Sequence, residues 1–210
     1  MTDDSSGARE RMIAEQIRAR DVRDARVLAA LGRIPRERFI PEPQRHEAYD
    51  DHPVPIGFGQ TISQPYIVAF MTDALRVEPS HRVLEVGTGC GYQTAVLSEL
   101  AREVYSIEVI GELAERARQT LADLGCANVR IRTGDGHQGW AAHAPYDRIL
   151  VAAAAETVPP ALVEQLADTG VLVIPVGVWH QELRVLQRHG DRLDLLATLP
   201  VRFVPLVKGQ

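Results

Sequence analysis

Hydrophobic positions in this chain gather into short runs of strand length, separated by stretches with helical spacing. Val83, Leu84 and Val86 form one such run, ending on glycines, and Thr94, Ala95, Val96, Leu97 and Leu100 follow as one side of a helix. Residues 104–108 and 129–132 repeat the strand pattern. So do 146–151 and 171–174, with a helix expected over 160–166 between them. Leu183–Leu186 and Leu193–Leu199 flank Gly190-Asp191, which predicts a hairpin. Residues 201–207 alternate only weakly and contain Pro205, which suits an edge strand or a loop open to strand addition by a peptide. Strand and helix patterns in alternation predict an α/β fold with a doubly wound, mostly parallel sheet.

The first forty residues differ. Met12, Ile13 and Ile17 sit at helical spacing, and Asp24 stands where it can cap a second helix through Val27, Leu28 and Leu31. Pro35, Pro41 and Pro43 end that pattern and open a linker. Two prolines and a glycine exclude a regular helix over 48–57, whereas 66–75 is an apolar helix with Pro65 in its first turn. Ser63 stands at the expected N-cap. The expectation is a single domain over 1–210: a helical segment at 8–47, a loop and helix at 48–75, and a Rossmann-like core at 80–210.

Composition narrows the function classes. A chain of 210 residues, 45% hydrophobic, can bury one full core. The net charge of −5 argues against nucleic acid as the main partner. Nine arginines against five acids make 9–38 locally basic, but interleaved acids (Glu10, Glu15, Asp21) favour a solvated helix face. The polar, acidic start is not a signal peptide, and no apolar run is long enough to span a bilayer. Cys90 and Cys126 fit free thiols in a reducing cytoplasm, without a basic neighbour to activate either. The seven histidines are scattered and no Cys/His cluster suggests a metal.

The candidate chemistry lies at the strand ends. Gly87-Thr88-Gly89-Cys90-Gly91-Tyr92 reads G-x-G-x-G, with Tyr92 where a dinucleotide fingerprint wants a third glycine or alanine. No Lys-Ser/Thr pair follows, which excludes a P-loop. A glycine turn behind an acidic strand end, Glu85, suits S-adenosylmethionine, which has no pyrophosphate. Glu108 ends the next strand about twenty residues on, where an acid binds ribose hydroxyls. Asp135, between Gly134 and Gly136, ends a third. Ser63 can cap its helix and also join the free amides there in holding a carboxylate, with Gln60, Thr61 and Gln64 as further polar contacts. Ala153 and Ala154, in a run of four alanines, leave room for a peptide backbone.

The segments GFGQTISQPYIVA (57–69), VLEVGTGCGYQTA (83–95), Gly134-Asp135-Gly136, YDRILVAAAAETVPPAL (146–162) and Arg202–Leu206 resemble the protein-L-isoaspartate (D-aspartate) O-methyltransferase family, in order from about residue 10 to the C-terminus. The resemblance implies a class I S-adenosylmethionine-dependent methyltransferase fold. It also implies methylation of the free carboxylate of L-isoaspartyl, or D-aspartyl, residues in damaged proteins. The ester then closes to a succinimide, and S-adenosylhomocysteine is the second product. It places Ser63 on the active-site serine, Glu108 on the ribose-binding acid, and Asp135 with Gly136 on the adenine side. Gln60, Thr61, Ile62, Ala153, Ala154 and Val204 are then the substrate contacts. Glu85, Gly87, Thr88, Gly89, Gly91 and Tyr92 complete the cofactor set. Cys90 and Glu156 depart from the usual serine and proline. The expected protein is a cytoplasmic monomer with isoaspartyl proteins as partners and no nucleic acid, membrane or metal. The other readings are a methyltransferase dedicated to one peptide or a small molecule, and a non-catalytic adaptor that recognises isoaspartyl groups.

Overall fold

The structure is a computed structural model that describes residues 2–209. Its centre is a seven-stranded sheet in the order β5-β4-β3-β6-β7-β8-β9. The strands are β3 (Arg82–Val86), β4 (Glu103–Glu108), β5 (Val129–Thr133), β6 (Tyr146–Val151), β7 (Leu166–Val176), β8 (Gln181–His189) and β9 (Arg192–Val201). The five from β5 to β7 run parallel, and β8 and β9 complete the sheet as an antiparallel hairpin. From β3 the chain steps to β4 on one side, and later returns to lay β6 on the other. That reversal opens a crevice at the strand tips, where α/β sheets bind ligands.

Alternation along β3 sorts the two faces of the sheet. Val83 joins a core shared with the N-terminal helices, whereas Leu84 and Val86 join a second core with Tyr105, Ile149 and Leu162. Helices α1 (Thr2–Arg11), α2 (Ala25–Arg33), α3 (Pro65–Leu75), α4 (Tyr92–Ser98) and α5 (Gly111–Asp123) precede α6 (Pro160–Gln165), whose Leu162 packs on the second face. Asp24 caps α2 as the sequence predicts, its carboxylate accepting the Arg26 amide at 2.7 Å.

Three expectations are corrected. The proline-rich linker is two 3₁₀ turns, Arg36–Phe39 and Glu42–Glu47, that bury Phe39 and Arg36 in the core. Pro35 and Pro41 sit at the entrance of each turn, where their fixed φ starts the turn and their missing N–H costs nothing. The segment after them contains a two-stranded hairpin, β1 (Val54–Gly57) and β2 (Gln60–Ile62), which turns through Phe58 and Gly59. Finally, 201–207 is not an open edge. The Val204 carbonyl accepts the Ala154 amide at 2.8 Å and the Leu206 amide donates to the Ala154 carbonyl at 2.7 Å, so this segment is already paired to the loop after β6. No described helix is long and apolar enough to cross a membrane.

Candidate active site at the strand tips

The crevice has a glycine-built wall. Gly87 (φ +92°) and Gly89 (φ +54°) adopt conformations that side-chain-bearing residues avoid. The Gly87 and Thr88 amides both donate to the Ile107 carbonyl, at 2.8 and 3.3 Å, which folds the turn back over the end of β4. Glu108, only 5% exposed, ends β4 and lines the same space. One of its oxygens accepts the Gly89 amide at 2.7 Å and the other the Ile110 amide at 3.0 Å. A carboxylate offers about four lone pairs, so two acceptor positions remain for a ligand. Val86, Ile107, Val109 and Ile110 supply an apolar floor beside Gly136. The crevice encloses about 800 Å³, its mouth included.

Four expected contacts fall elsewhere. Glu85 is fully buried behind the wall, where its Oε2 accepts from Thr94 Oγ1 at 2.5 Å and Ser106 Oγ at 2.6 Å. Ser106 Oγ is also 2.6 Å from Thr88 Oγ1, so Glu85 reaches the crevice only through its neighbours. Burial pushes the Glu85 carboxyl up to about 7. Gly91 does not line the crevice either. A Cβ there would sit 3.2 Å from both Ala117 and Leu121, so this glycine lets α4 start against α5. Asp135 is turned away, its Oδ1 taking the His137 amide at 2.9 Å and facing the His137 ring at 2.8 Å. Burial works against its ionisation, but those contacts hold its carboxyl below the usual range. Gly136, next to it, does line the crevice, with no room for a Cβ, which would come within 2.3 Å of Val86. Ala154 is occupied by its pairing with Val204 and Leu206 and faces a groove beyond them.

Opposite the glycine wall stand Gln60, Thr61, Ile62 and Ser63, with Ala152, Ala153 and Val204 beside them. Thr61, Ser63, Ala152 and Val204 also line a second groove that opens next to the crevice, toward Ile67 and Arg202. Ser63 therefore sits where the two spaces meet. It is not the N-cap of α3, as the sequence suggested. Gln64 takes that place at φ −48°, ψ 139°, because a residue before proline is driven into the extended region and Pro65 is the first helical residue. The Gln64 side chain donates to the Asp51 carbonyl and carboxylate at 2.9 and 2.8 Å. The Ser63 hydroxyl, released from capping, makes no hydrogen bond among the described residues. The Ser63 carbonyl accepts from Arg36 Nη2 at 2.8 Å.

Val68, Cys90, Gln93 and Leu206 also line the wall; each falls within a segment that carries the family resemblance, but nothing in its residue type marked it as a contact. Ile110 was discoverable, since its amide lies two residues after the Glu108 that accepts it. Arg36 was read into a solvated face and is instead fully buried. The described residues contain no group of three or more His, Cys, Asp or Glu side chains that could hold a metal. The lining therefore offers hydroxyls, amides and one carboxylate, with no histidine or lysine to act as acid or base.

Residues 7–210 match the family model described as protein-L-isoaspartate (D-aspartate) O-methyltransferase. The chain is 52% identical to the protein-L-isoaspartate O-methyltransferase of Picosynechococcus sp., over 97% of this chain and 92% of that one. It is 54% identical to the one from Opitutus terrae, over 95% and 87%. A solved protein-L-isoaspartate O-methyltransferase superposes with a TM-score of 0.85 at 28% identity, covering 94% of this chain and 65% of that longer one. A Plasmodium falciparum beta-aspartate methyltransferase in complex with S-adenosyl-L-homocysteine superposes with a TM-score of 0.80 at 25% identity, over 98% and 99%.

Proposed function

The chain belongs to the protein-L-isoaspartate (D-aspartate) O-methyltransferase family, and on that premise we propose how its crevice divides the work of the reaction. Its activity is transfer of a methyl group from S-adenosylmethionine to the free carboxylate of an L-isoaspartyl residue in a damaged protein. The backbone amide nitrogen that follows then bonds to the ester carbonyl carbon, closing a succinimide as the acyl–oxygen bond breaks and methanol leaves. The residues present fit that cofactor. Gly87 and Gly89 keep the wall free of Cβ atoms, Glu108 presents two unused acceptor positions for ribose hydroxyls, and Val86, Ile107 and Ile110 offer an apolar bed beside Gly136 for the adenine. When bound, the cofactor supplies a methyl group on a sulfonium, to which a carboxylate oxygen bonds as the carbon–sulfur bond breaks.

A carboxylate is ionised at neutral pH and needs no base. What remains for the protein is alignment and exclusion of water from the anion. The Ser63 hydroxyl and the β2 residues Gln60, Thr61 and Ile62 hold the acceptor, Ala152 and Ala153 give its backbone room, and Val204 closes the far side. The observation that carries this reading is the position of Ser63. Its free hydroxyl stands at the junction of the cofactor crevice and the groove leading to Ile67 and Arg202. Thr88 and Tyr92 line the donor side. Glu85 and Gly91 support the wall from behind, and Asp135, engaged with His137, holds the turn that places Gly136 at the adenine side. The net charge of −5 argues against nucleic acid as a partner, and the free thiols Cys90 and Cys126 fit a reducing cytoplasm.

The test uses labelled S-adenosylmethionine and paired peptides that differ only in Asp or isoaspartate. Base-labile label on the isoaspartyl peptide alone is the expected result, and label on neither removes the reading. Ser63→Ala should lower kcat/KM by about 10- to 100-fold, the loss of one hydrogen bond to a charged group, while S-adenosylhomocysteine affinity stays within threefold. Unchanged kcat/KM would exclude the role given to Ser63.

A further inference from the structure

Arg36 is the one charged side chain in the buried set with no exposure beside Glu85, and nothing in the reaction described so far uses it. It opens the 3₁₀ turn Arg36–Phe39. Its Nε donates to the Ala48 carbonyl at 2.7 Å and its Nη2 to the Ser63 carbonyl at 2.8 Å. The guanidinium carbon lies 4.9 Å from the centre of the Tyr92 ring, which is held on another side by Phe39, edge-on at 5.5 Å. No carboxylate among the described residues pairs with Arg36. Its Nη1 and the Tyr92 hydroxyl are both buried without a hydrogen-bond partner.

This arrangement joins the two halves of the site through one group. Ser63 belongs to the acceptor side and Tyr92 to the donor side, the first helical residue after the glycine turn. They are 29 positions apart in sequence and lie on different elements. A guanidinium is a rigid planar fork, able to fix two carbonyls and stack on a ring at once, which the point charge of a lysine cannot do. It also keeps its charge when buried. A buried cation without a counter-charge is costly, and an anion brought close to it relieves that cost. The acceptor carboxylate is such an anion, and the loop that receives it is the one Arg36 grips.

We propose that Arg36 is a positioning residue for methyl transfer: it sets the distance between the acceptor loop at Ser63 and the cofactor wall at Tyr92, and its unpaired charge favours an anionic acceptor. The proposal rests on the acceptor role given to Ser63, and its test separates the two. Arg36→Lys keeps the charge and loses the fork, whereas Arg36→Met loses both. Each variant is compared with the parent by S-adenosylhomocysteine calorimetry, which counts intact sites, by kcat and KM per intact site, and by competitive binding of two peptides. One peptide carries isoaspartate and the other its neutral isoasparagine counterpart.

With the fork lost, kcat per intact site should fall by about 10- to 100-fold in both variants, the scale of a small misplacement of reacting groups. The preference for the isoaspartyl over the isoasparagine peptide should survive in Arg36→Lys and shrink about tenfold in Arg36→Met. A merely structural arginine would weaken both peptides equally and leave that ratio alone. Wild-type kcat per intact site in both variants, or an unchanged ratio in Arg36→Met, overturns the proposal. If Arg36→Met yields no intact sites, Arg36→Lys decides by its kcat. Should the parent itself fail to prefer the anionic peptide, the acceptor role of Ser63 fails first, whatever the variants do.

Discussion

Replacing Glu108 with Gln tests the cofactor side of the site, because one carboxylate has been given two separate tasks. Its oxygens accept the Gly89 amide at 2.7 Å and the Ile110 amide at 3.0 Å, and the proposal gives their remaining acceptor positions to the ribose. A glutamine has a single acceptor oxygen. Whichever way its amide turns, one of the two backbone N–H groups meets an NH₂, and one ribose hydroxyl loses its acceptor. A hydrogen bond to a charged group is worth about 1.5–3 kcal/mol, so the ligand-facing loss is of that size. That converts to about 10- to 150-fold in affinity. The amide left without a partner costs about 1–3 kcal/mol of stability, and this cost is present whether or not ligand is bound. Calorimetric titration with S-adenosylhomocysteine reads the first loss, and urea unfolding without ligand reads the second. If Glu108→Gln bound S-adenosylhomocysteine within threefold of the parent, Glu108 would be a loop anchor alone and the ribose assignment would be wrong.

Two further substitutions probe the residues behind the wall. The Glu85 carboxyl is raised by burial from 4.5 to about 7, so the folded state holds its proton more tightly than the unfolded chain does. Its contribution is fully present below the unfolded value and is lost as pH rises through about 7, to a total of about 3 kcal/mol. Glu85→Gln should lack that decline, and parallel urea stability profiles of the two proteins from pH 5 to pH 8 would refute the assignment. Gly91→Ala places a Cβ 3.2 Å from Ala117 and Leu121 at φ +93°, which should cost about 2–4 kcal/mol from the left-handed backbone and overpacking together. The measurement is denaturant unfolding. Because Gly91 does not touch the crevice, S-adenosylhomocysteine affinity per folded molecule should stay within threefold.

The sheet was legible in the sequence because its strands are short apolar runs that end on glycines or acids, and both patterns are local. Val83–Val86 and Val104–Glu108 show this, and so does the hairpin at Gly190-Asp191. Which of the two strand-end glutamates lines the crevice was not legible. Glu85 and Glu108 are both acids at or near strand ends, but alternation along the strand decides which way each points. Glu85 is followed by Val86 before the turn, and it points into the core among Thr94 and Ser106. Glu108 is the last residue of its strand and curls back to the glycine amide. The N-cap at Ser63 was misjudged for a different reason. Serine is the better capping residue in general, but the constraint that Pro65 places on its predecessor outweighs that preference. The burial of Arg36 had no local signal at all. In sequence it is one of nine arginines between residues 9 and 38, and what distinguishes it is a pair of carbonyls supplied by residues 12 and 27 positions away.

These differences follow a division in the fold. On the proposed assignment, the donor side is built by the sheet itself, from the ends of β3 and β4, so a pattern of strands and glycines is enough to find it. The proposed acceptor side is built by residues outside the sheet, and they are held by long-range side-chain contacts. Gln64 is tied to Asp51, the Ile56 carbonyl accepts from Arg116 on α5 at 3.2 Å, and Ser63 is tied to Arg36. The two arginines reach main-chain carbonyls of the loop and hairpin, where they fix position without using the side chains of Gln60, Thr61 and Ile62, whereas Gln64 spends its own side chain on Asp51. Substrate selectivity can therefore change through Gln60, Thr61 or Ile62 without disturbing the cofactor wall. Loosening the 3₁₀ turn at Arg36, by contrast, moves acceptor and donor relative to each other, and a displacement reaction that needs three atoms in line is most sensitive to that coordinate.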